Sequence, residues 1–444
     1  MANIFWFRRD LRLADHPALN LALSSSEKTY LIATADQLGS KFDHLSEVRR
    51  NSLRASWNSL SSDLSGRLTI LESPKDLIAL AKKLDVIEVF ASSAFDTNGV
   101  KELSAITKDL GSVGVKLTTL GGNYAVTPGT VRKQDGTPYR VYTPFFNEWY
   151  KVNPGSPIDR ADLSTVAEAI HTDFDPQLKL GKGIPAGEAF ALKTLERFLK
   201  ERVSDYADSR NRADVGGTSH LSHALSHGEI HPRTILSALP EGSGGMVFRK
   251  EIAWREFYAD VLWHNPESLT DYLDSKYREM RYDFDEQLLS RWKSGSTGYP
   301  MVDAGMRQLA STGWMHNRVR MIVASFLIKD LHFEWQHGAS WFEENLSDFD
   351  PASNSHGWQW TAGCGTDASP YYRVFNPVMQ GLKFDPDGNY VRKFVPELRH
   401  IAGSKVHEPW ELADGYAHGY NQRIVDHAQE RLESLARLEE IKKR

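Results

Sequence analysis

The sequence predicts an α/β domain with a parallel, Rossmann-like sheet at the N-terminus, followed by an all-α domain. Short apolar segments alternate with amphipathic helical segments over residues 2–125, and this alternation is typical of a parallel sheet covered on both faces. After Gly187 the apolar residues follow helical spacing, with no convincing alternating strand. The length of 444 residues exceeds one typical core, which favours two or three domains.

Five apolar segments in the first part have the length and composition of buried strands. They are residues 4–7, 30–35, 68–71, 86–91 and 115–120. Residues 49–60 and 74–84 lie between them and have helical spacing. Ligand sites in such sheets usually lie beyond the carboxyl ends of the strands. Neither a Gly-x-Gly-x-x-Gly loop nor a Walker-type loop follows a predicted strand, which argues against a standard dinucleotide or triphosphate site in this half.

Glycine, proline and polar residues accumulate between the two predicted domains, as in residues 153–157 and 181–185. This composition is typical of linkers. The last segment, 424–444, has the pattern of a charged amphipathic helix, and no disordered tail is expected after it. The predicted division is an α/β domain at 1–125, an interdomain linker at 126–195 and a helical domain at 196–444.

Composition is ordinary for a globular protein, with 41% hydrophobic and 25% charged residues. The most conspicuous apolar run, 321–328, is interrupted by Ser325 and is far shorter than the roughly 20 residues that span a bilayer. The N-terminus lacks the pattern of a secretory signal, so a soluble, cytoplasmic and monomeric protein is the simplest expectation. The single cysteine, Cys364, excludes an internal disulfide framework and a cysteine-rich zinc site, and no metal site is predicted.

Charge gives only a weak indication about partners. A formal net charge of -5 argues against a chain coated in nucleic acid, because non-specific binding rests mostly on phosphate neutralisation by Lys and Arg. A local basic face remains compatible with this value.

Residues 254–360 contain eight of the twelve tryptophans and a dense set of polar residues at positions that look buried. An ordinary helical core would use Leu, Ile and Ala there, because a polar group buried without a partner costs roughly 2 to 7 kcal/mol. The stretch therefore predicts a site for a large ligand that is both polar and aromatic.

Three hydroxyl side chains, of Thr218, Ser219 and Ser222, stand at an expected helix start. Free N–H groups and the positive end of the helix dipole suit a phosphate at such a position. A simple helix cap is the more usual role of Ser or Thr there, so this pattern alone leaves both interpretations open.

Two further patterns also allow an ordinary interpretation. Glu251 lies three residues before Trp254 on one helix face, which also fits a surface carboxylate beside a core tryptophan. Asn317, Arg320 and Met321 share another helix face. A helix-capping asparagine and a salt-bridged arginine would explain that second set equally well.

Five motifs, taken together and in this order, resemble those of the DNA photolyase and cryptochrome family. They are Trp-Arg-Glu-Phe-Tyr at 254–258, Thr-Gly-Tyr-Pro-Met-Val-Asp-Ala at 297–304, Gly-Trp-Met-His-Asn-Arg-Val-Arg-Met at 313–321, Asn-Ser-His-Gly-Trp-Gln-Trp at 354–360 and Tyr-Tyr-Arg-Val-Phe-Asn-Pro at 371–377. The opening Trp-Phe-Arg-Arg-Asp-Leu-Arg-Leu at 6–13 is similar as well, so the resemblance covers nearly the whole chain. Within the family, the sequence most resembles the class I cyclobutane pyrimidine dimer photolyases.

The resemblance implies an enzyme that repairs cyclobutane pyrimidine dimers in DNA, with an FAD-binding helical domain. Photoexcited reduced FAD would give an electron to a flipped-out dimer, and the cyclobutane carbon–carbon bonds would then split. A cryptochrome-type flavin photoreceptor and a (6-4) photoproduct photolyase are the alternatives. Asn354 favours a photolyase, because many cryptochromes carry Asp or Cys there, and Met321 replaces a histidine common in (6-4) enzymes.

The resemblance also assigns nine residues to FAD. Hydroxyls and backbone N–H groups would bind the phosphates and ribityl chain, an Arg–Asp pair would lie beside the flavin ring, and an amide would face flavin N5. The residues at the matching positions are Tyr206, Thr218, Ser219, Leu221, Ser222, Arg320, Asp348, Asp350 and Asn354. His220 stands where the family often has an arginine, which removes one fixed charge from this set.

Five residues match the lesion pocket of the family: Glu251, Trp254, Asn317, Met321 and Trp360. Photolyases are a recognised example of base flipping, since a lesion inside the duplex is out of reach. The tryptophans would offer apolar faces to the rings, while the carboxyl, protonated or sharing a proton, and the amide would hydrogen-bond to the pyrimidine edges. Two arginines are candidates for contacts to the DNA backbone, Arg210 and Arg318.

Trp358 and Trp335 match two members of the family's electron-transfer chain, and core packing would explain them as well. At the outermost position the sequence has Tyr282 in place of tryptophan. Three alternatives follow: Tyr282 is the last donor, Trp341 supplies a detour, or photoreduction is inefficient. A second chromophore, folate or deazaflavin, is also open, because Gly99 stands where a folate-binding relative would have Glu.

Overall fold

The structure is a computed structural model that describes residues 2–25, 27–35, 44–172, 184–366 and 372–443. The described residues divide into two units. The first unit draws on Met1–Tyr139, Thr143–Ser204 and Ser219–Pro266, and the second on Arg140–Tyr142, Asp205–Thr218 and Glu267–Arg444. The predicted domain boundaries at 125 and 195 stay a prediction. Residues 181–183 of the predicted linker and Tyr371 of the last motif lie outside the described residues.

The first unit contains a five-stranded parallel sheet. In chain order its strands are β1 (Ala2–Trp6), β2 (Lys28–Thr34), β3 (Leu68–Leu71), β4 (Val86–Ala91) and β5 (Lys116–Thr119). Their spatial order is β3-β2-β1-β4-β5, with Ile4 of β1 paired to Tyr30 on one side and to Val89 on the other. The prediction of a parallel sheet is confirmed, and each strand lies within two residues of its predicted bounds.

Both faces of the sheet are buried. Successive side chains of a strand point to opposite faces, so Phe5 and Phe7 join one core cluster while Ile4 and Trp6 join the other. The first cluster includes helices α1 (Pro17–Leu23) and α2 (Glu47–Asp63), and the second includes α3 (Pro74–Lys83) and α4 (Thr97–Gly111). Strands covered on both faces need apolar residues throughout, which explains their continuous apolar runs in the sequence.

The remaining helices of the described residues follow one another along the chain. They are α5 (Tyr142–Trp149), α6 (Glu188–Glu201), α7 (Tyr206–Ser209), α8 (Ser222–His227), α9 (Pro232–Ala238), α10 (Ser243–His264), α11 (Glu286–Ser294), α12 (Pro300–Thr312), α13 (Asn317–Lys329), α14 (Trp335–Asn345), α15 (Pro351–Ala362), α16 (Pro377–Phe384), α17 (Asn389–Phe394) and α18 (His427–Lys442). No strand occurs in the described residues after Gly187, as predicted. None of the described helices combines the length and apolar character that a membrane crossing requires.

Helix α5 was not predicted and lies in the segment assigned to the linker. Its residues Phe145 and Trp149 are buried, and the Trp149 indole N–H donates to Glu256 Oε2 at 2.6 Å. Glu256 also accepts from the backbone N–H of Val126 at 3.0 Å. Part of the Gly- and Pro-rich segment is therefore held by a buried carboxylate, which composition alone does not reveal.

In the second unit, α12 to α15 pack against one another around a core rich in aromatic residues. Trp292, Trp335 and Trp358 are all buried in it. The predicted C-terminal helix is present as α18, and the Asp426 side chain caps it by accepting from the backbone N–H of Ala428 at 2.9 Å. This core positions the side chains that the motifs singled out.

Candidate functional site

The start of α15 forms the centre of the candidate site in the second unit. Asp350 caps the helix, because its side chain accepts from the Ser353 N–H at 2.9 Å. Pro351 occupies the first helical position, where a missing N–H costs no hydrogen bond. The local sequence thus determines where the helix begins.

Just before this helix, Asp348 forms the ion pair that the resemblance implied. Its Oδ2 accepts from Arg320 Nη2 at 2.7 Å, and Arg320 Nε donates to the Met315 carbonyl oxygen at 2.8 Å. Only 2% of the Asp348 side chain is exposed. A salt-bridged Arg320 was the ordinary interpretation of that helix face, so the ion pair by itself does not establish a ligand site.

The second carboxylate oxygen of Asp348 provides the stronger indication of a ligand. Asp348 Oδ1 is buried and has no hydrogen-bond partner among the described residues. A buried acceptor left unsatisfied costs about 1 to 3 kcal/mol. A donor from a bound molecule would remove this cost, and the ring N–H groups of a flavin are donors of the required kind.

Asn354 lies one turn into α15, and its amide orientation follows from one contact. Its Nδ2 donates to the carbonyl oxygen of Ala339 on α14 at 3.0 Å. A carbonyl oxygen can only accept, so the amide must present its nitrogen to Ala339 and its oxygen to the other side. The side chain therefore offers an acceptor away from α14.

Gly357 on α15 has open space beside it, whereas Gly338 on α14 does not. A Cβ on Gly357, one turn after Asn354, would meet no atom within 4 Å. A Cβ on Gly338 of α14 would lie 2.0 Å from Cη2 of Trp358. Open space thus lies beside the Asn354 turn, while Trp358 fills the space against α14. These observations fit a planar cofactor at the start of α15.

The loop before α8 carries the hydroxyls predicted to bind phosphate. Ser219 Oγ accepts from the Leu221 N–H at 3.3 Å, and His220 adopts a left-handed backbone with φ of 56°. The residue that caps α8 is Leu221, which makes no side-chain cap hydrogen bond. None of the three hydroxyl residues therefore occupies the N-cap position of α8 itself. The other members of the predicted set, Tyr206 and Thr218, belong to the second unit.

Two of the predicted lesion residues lie on α10 of the first unit. Glu251 and Trp254 are half-buried, and the Trp254 ring packs against Phe257 and Tyr258 with centroids 5.7 and 5.5 Å away. The helix extends over 22 residues, so both side chains are carried by a continuous element, as predicted.

The other three predicted lesion residues lie on α13 and α15, which pack together. Asn317 is exposed, while Met321 and Trp360 are half-buried. The idea that Asn317 caps α13 is wrong, because the cap is His316, whose Nδ1 accepts from the Arg318 N–H at 3.1 Å. Asn317 is the first residue of the helix, with its side chain at the surface.

The two arginines predicted to contact DNA are both partly buried. Arg210 ends α7, and the Arg318 guanidinium lies 4.5 Å above the Phe384 ring while donating to Asn211 Oδ1 at 2.8 Å. Stacking and a hydrogen bond hold Arg318 in one orientation. Its contact with DNA stays a prediction, as do the other site assignments.

The predicted electron-transfer residues lie in the aromatic core of the second unit. Trp358 packs against Phe342 and Trp292, with centroids 5.0 and 6.2 Å away. The indole nitrogens of Trp358 and Trp335 are buried without a hydrogen-bond partner among the described residues. Tyr282 is half-buried. These residues therefore serve as core packing in any case, and a redox role would come in addition.

A tyrosine outside all the motifs bridges two of the predicted positions. The Tyr272 ring lies 6.2 Å from that of Trp335 and 6.1 Å from that of Tyr282. Trp341, the predicted detour, has Lys293 Nζ 4.5 Å from its ring centroid. No spacing rule links Tyr272 to either neighbour, because the contacts join elements that are distant in sequence.

Burial also keeps one histidine of α15 neutral. Desolvation lowers the pKa of His356 to about 4, against a small opposing effect of Asp350. His356 Nε2 lies 3.3 Å from Ser268 Oγ. The imidazole therefore adds no positive charge to the helix that carries Asn354 and Trp358 at neutral pH.

In the first unit, Gly99 has little room for a side chain. A Cβ there would lie 2.9 Å from the Ala94 Cβ, 2.9 Å from Asp96 Oδ2 and 3.3 Å from Arg8 Nη2. The Asp96 side chain caps α4 at this point by accepting from the Gly99 N–H at 2.9 Å. A glutamate at this position, as expected of a folate-binding relative, would require its neighbours to shift.

Comparison with known proteins identifies two family models in the chain. One, described as the FAD binding domain of DNA photolyase, matches residues 248–440. The other, described as DNA photolyase, matches residues 3–162. A curated relative named deoxyribodipyrimidine photo-lyase, from Alkalihalophilus pseudofirmus, is 36% identical and is aligned over 97% of this chain and 96% of its own length.

Solved structures give the same result. A class III photolyase from Agrobacterium tumefaciens superposes with a TM-score of 0.90 at 34% identity, over 100% of this chain and 98% of that one. A cryptochrome from Synechocystis gives 0.89 at 26% identity, with 98% of both chains covered. An archaeal photolyase from Sulfolobus tokodaii, solved with two FAD molecules, gives 0.85 at 27% identity over 99% of this chain and 100% of that one. The predicted likeness to class I enzymes therefore stays a prediction.

Proposed function

Because the chain belongs to the DNA photolyase family, we propose that it repairs cyclobutane pyrimidine dimers in DNA with light. The observation that carries this proposal is the arrangement at the start of α15. There Asn354 presents an amide oxygen on the same helix turn as open space at Gly357, and Asp348 retains an unpartnered buried oxygen. Within the family, an amide at the position of Asn354 is typical of photolyases.

Bound FAD in its reduced, light-excited state would supply one electron to the dimer and receive it back after the ring has split. Asp348 Oδ1 would accept from a ring N–H of the flavin, and the ion pair with Arg320 holds that carboxylate in place. Asn354 would accept from the N–H at flavin N5, because only its oxygen faces away from Ala339. An amide oxygen has no proton to deliver, so this contact favours retention of the reduced anionic flavin.

The side chains that hold phosphates complete the proposed FAD site. Thr218, Ser219 and Ser222 would donate hydroxyl hydrogens to phosphate oxygens, together with backbone N–H groups near the start of α8. Tyr206 and Leu221, whose side chains are buried, complete the set that the resemblance assigns to this part of FAD. Asp350 would orient the helix start as its cap.

Five residues would hold the flipped dimer. Trp254 and Trp360 offer flat apolar faces for the pyrimidine rings, and Met321 adds adaptable apolar contact. Glu251 and Asn317 would hydrogen-bond to pyrimidine edges and so stabilise the negative charge that develops on the dimer.

Arg210 and Arg318 would contact the DNA phosphates beside the lesion. Trp358, Trp335 and Tyr282 would carry electrons to the flavin when it has become oxidised. We also propose that the protein acts as a monomer, because all the residues named above belong to one chain, and that it acts in the cytoplasm. A second chromophore, folate or deazaflavin, is not required for the proposed repair step.

Illumination of the FAD-loaded, chemically reduced protein with a dimer-containing oligonucleotide is expected to restore the intact pyrimidines. The same mixture kept in the dark should retain the lesion, because electron transfer requires the excited state. The products are quantified by chromatography of the oligonucleotide. Persistence of the dimer under light, with fully reduced FAD bound, would exclude the proposed repair. A light-dependent change of conformation without repair would instead favour the photoreceptor, and repair of a (6-4) photoproduct alone would favour that enzyme.

Glu251→Ala is expected to keep FAD bound and to lower repair per absorbed photon roughly tenfold. This is less than the loss of about 10²- to 10³-fold on removal of a preorganised oxyanion-hole donor, because Glu251 is only half-buried. Glu251→Gln, the matched control, keeps a hydrogen-bond donor and should lose less. Flavin content is measured by absorbance and repair by the oligonucleotide assay. An alanine variant with wild-type yield would remove Glu251 from the mechanism.

A further inference from the structure

We propose that Tyr272 is a redox relay between Trp335 and Tyr282, and that Glu334 accepts its proton. This inference rests on the proposed function in one respect, since it concerns how the flavin of the same site is reduced. It resolves the choice left open by the tyrosine at position 282. It also assigns roles to two residues that no motif contains.

The Tyr272 ring lies close to the rings of both Trp335 and Tyr282. The Tyr272 and Trp335 rings meet edge to face with centroids 6.2 Å apart and an interplanar angle of 90°. On its other side Tyr272 stacks with Tyr282, at 6.1 Å and 22°. Electron tunnelling falls steeply with distance, so two successive ring contacts form a short path. Tyr272 is 5% exposed, whereas Tyr282 is half-buried, so the path runs from the core toward the surface.

The Trp335 indole nitrogen is buried and lacks a hydrogen-bond partner within the described part of the chain. An indole radical cation formed there would therefore keep its proton and remain a strong oxidant. The Tyr272 hydroxyl, in contrast, donates to Glu334 Oε1 at 3.2 Å, which is within reach for proton transfer. Glu334 directly precedes Trp335 as the N-terminal cap residue of α14.

Burial explains why the tyrosine needs this base. Desolvation raises the pKa of Tyr272 well above that of a free phenol, so the side chain is neutral before oxidation. Oxidation of a neutral phenol without loss of its proton would leave a buried positive charge, which is costly. Transfer of the proton to Glu334 avoids that charge and gives a neutral tyrosyl radical.

The proposed sequence balances in electrons and protons. Bound FAD, oxidised and excited by light, would be the acceptor for an electron that leaves Trp335 through Trp358. Tyr272 then gives one electron to the Trp335 radical cation and its hydroxyl proton to Glu334. Tyr282 then gives an electron to the Tyr272 radical, Glu334 returns the proton to the Tyr272 oxygen, and the Tyr282 proton passes to water. A thiol reductant in solution donates a hydrogen atom to the Tyr282 radical, and two thiyl radicals combine to a disulfide.

The main test is anaerobic photoreduction of the FAD-loaded, oxidised protein under blue light with dithiothreitol. The rate is measured from the loss of the oxidised-flavin absorbance. Tyr272→Phe is expected to slow this reaction at least tenfold, because the Trp335 radical cation cannot oxidise phenylalanine. Tyr277→Phe is the matched control. Tyr277 belongs to the same aromatic core and contacts the Tyr282 hydroxyl only with its backbone oxygen in the hydrogen bond of 3.1 Å, so its rate should stay within twofold of wild type.

Glu334→Gln tests the proton step, because the amide keeps the size of the side chain but is not a base. It should slow photoreduction at least threefold and abolish any dependence of the rate on exchange into D₂O. Trp341→Phe should leave the rate unchanged. A wild-type rate in Tyr272→Phe, or a slow rate in Trp341→Phe alone, would overturn the relay.

Repair by the dithionite-reduced variants separates this proposal from the proposed function. Tyr272→Phe should repair dimers as wild type does when reduced chemically, since the relay is then bypassed. If Tyr272→Phe does not fold, electron paramagnetic resonance of illuminated wild type replaces it. Ring-deuterated tyrosine should narrow the radical signal, and Glu334→Gln should remove it; a signal insensitive to both changes would contradict the relay.

Discussion

Asp348→Ala is expected to abolish retention of FAD and to destabilise the second unit. Asp348 is the buried partner of Arg320 at 2.7 Å, and it carries the unpartnered oxygen that we assign to the flavin ring. Removing one partner of a buried ion pair leaves the other charge uncompensated, which costs roughly 3 to 5 kcal/mol. Arg320 is 24% exposed, so water offsets part of this cost and about 2 to 3 kcal/mol is expected.

The measurement combines flavin content after gel filtration with urea unfolding followed by circular dichroism. Asp348→Asn should fold better than the alanine variant, because the amide can still accept from Arg320, yet it should hold FAD more weakly. The control is Glu439→Ala, which removes the exposed ion pair with Lys442 at 2.8 Å and should cost less than about 1 kcal/mol. Stoichiometric FAD in Asp348→Ala would contradict the assigned contact.

The second large effect is expected from Gly338→Ala on α14. A Cβ at this position would lie 2.0, 2.4 and 2.6 Å from Cη2, Cζ3 and Cζ2 of Trp358. Trp358 is 2% exposed and packs against Phe342 and Trp292, so it has no free direction in which to move. Overpacking of a filled core costs typically 1 to 3 kcal/mol, which exceeds the gain of about 0.5 to 1 kcal/mol from replacing a mid-helix glycine.

Gly357→Ala provides the matched control, because Gly357 precedes Trp358 in the chain and is also helical, but its Cβ would meet no atom within 4 Å. In protein stripped of flavin, this variant should be as stable as wild type or more stable by about 0.5 to 1 kcal/mol. Gly338→Ala should lower the free energy of unfolding by at least 1 kcal/mol, in the same urea experiment. Equal stability of the two variants would show that Trp358 does not fill the space against α14.

Much of the fold follows from local patterns. The strand bounds of the sheet were predictable because a strand buried on both faces is apolar at nearly every position, as in β1, where Asn3 is the one polar residue. The helical half was predictable from apolar spacing, and α18 ends the described chain with a cap at Asp426. Helix α5 escaped prediction, because its stability depends on a buried contact between Trp149 and Glu256 and not on its own composition.

The candidate site was also predictable only in part. Motifs of consecutive residues contain Arg320 and Asn354, and the family resemblance added Asp348. The ion pair between Arg320 and Asp348 is present. The motifs did not indicate that Ala339 orients the Asn354 amide. The acceptor is a backbone carbonyl oxygen, which every residue has, so residue types alone do not identify the partner. They also assigned Asn317 an alternative capping role that His316 in fact fulfils.

The sequence by itself therefore determined the succession of a parallel α/β fold and a helical fold, the family, and the residues that we propose contact the flavin and the lesion. These properties are encoded in local periodicity and in short runs of neighbouring residues. Only the tertiary structure decided which oxygen Asn354 presents, that Asp348 keeps an unpartnered oxygen, and that Tyr272 stands between Trp335 and Tyr282. The physical reason is that each depends on the packing of elements distant in sequence, and such packing leaves no periodic trace along the chain.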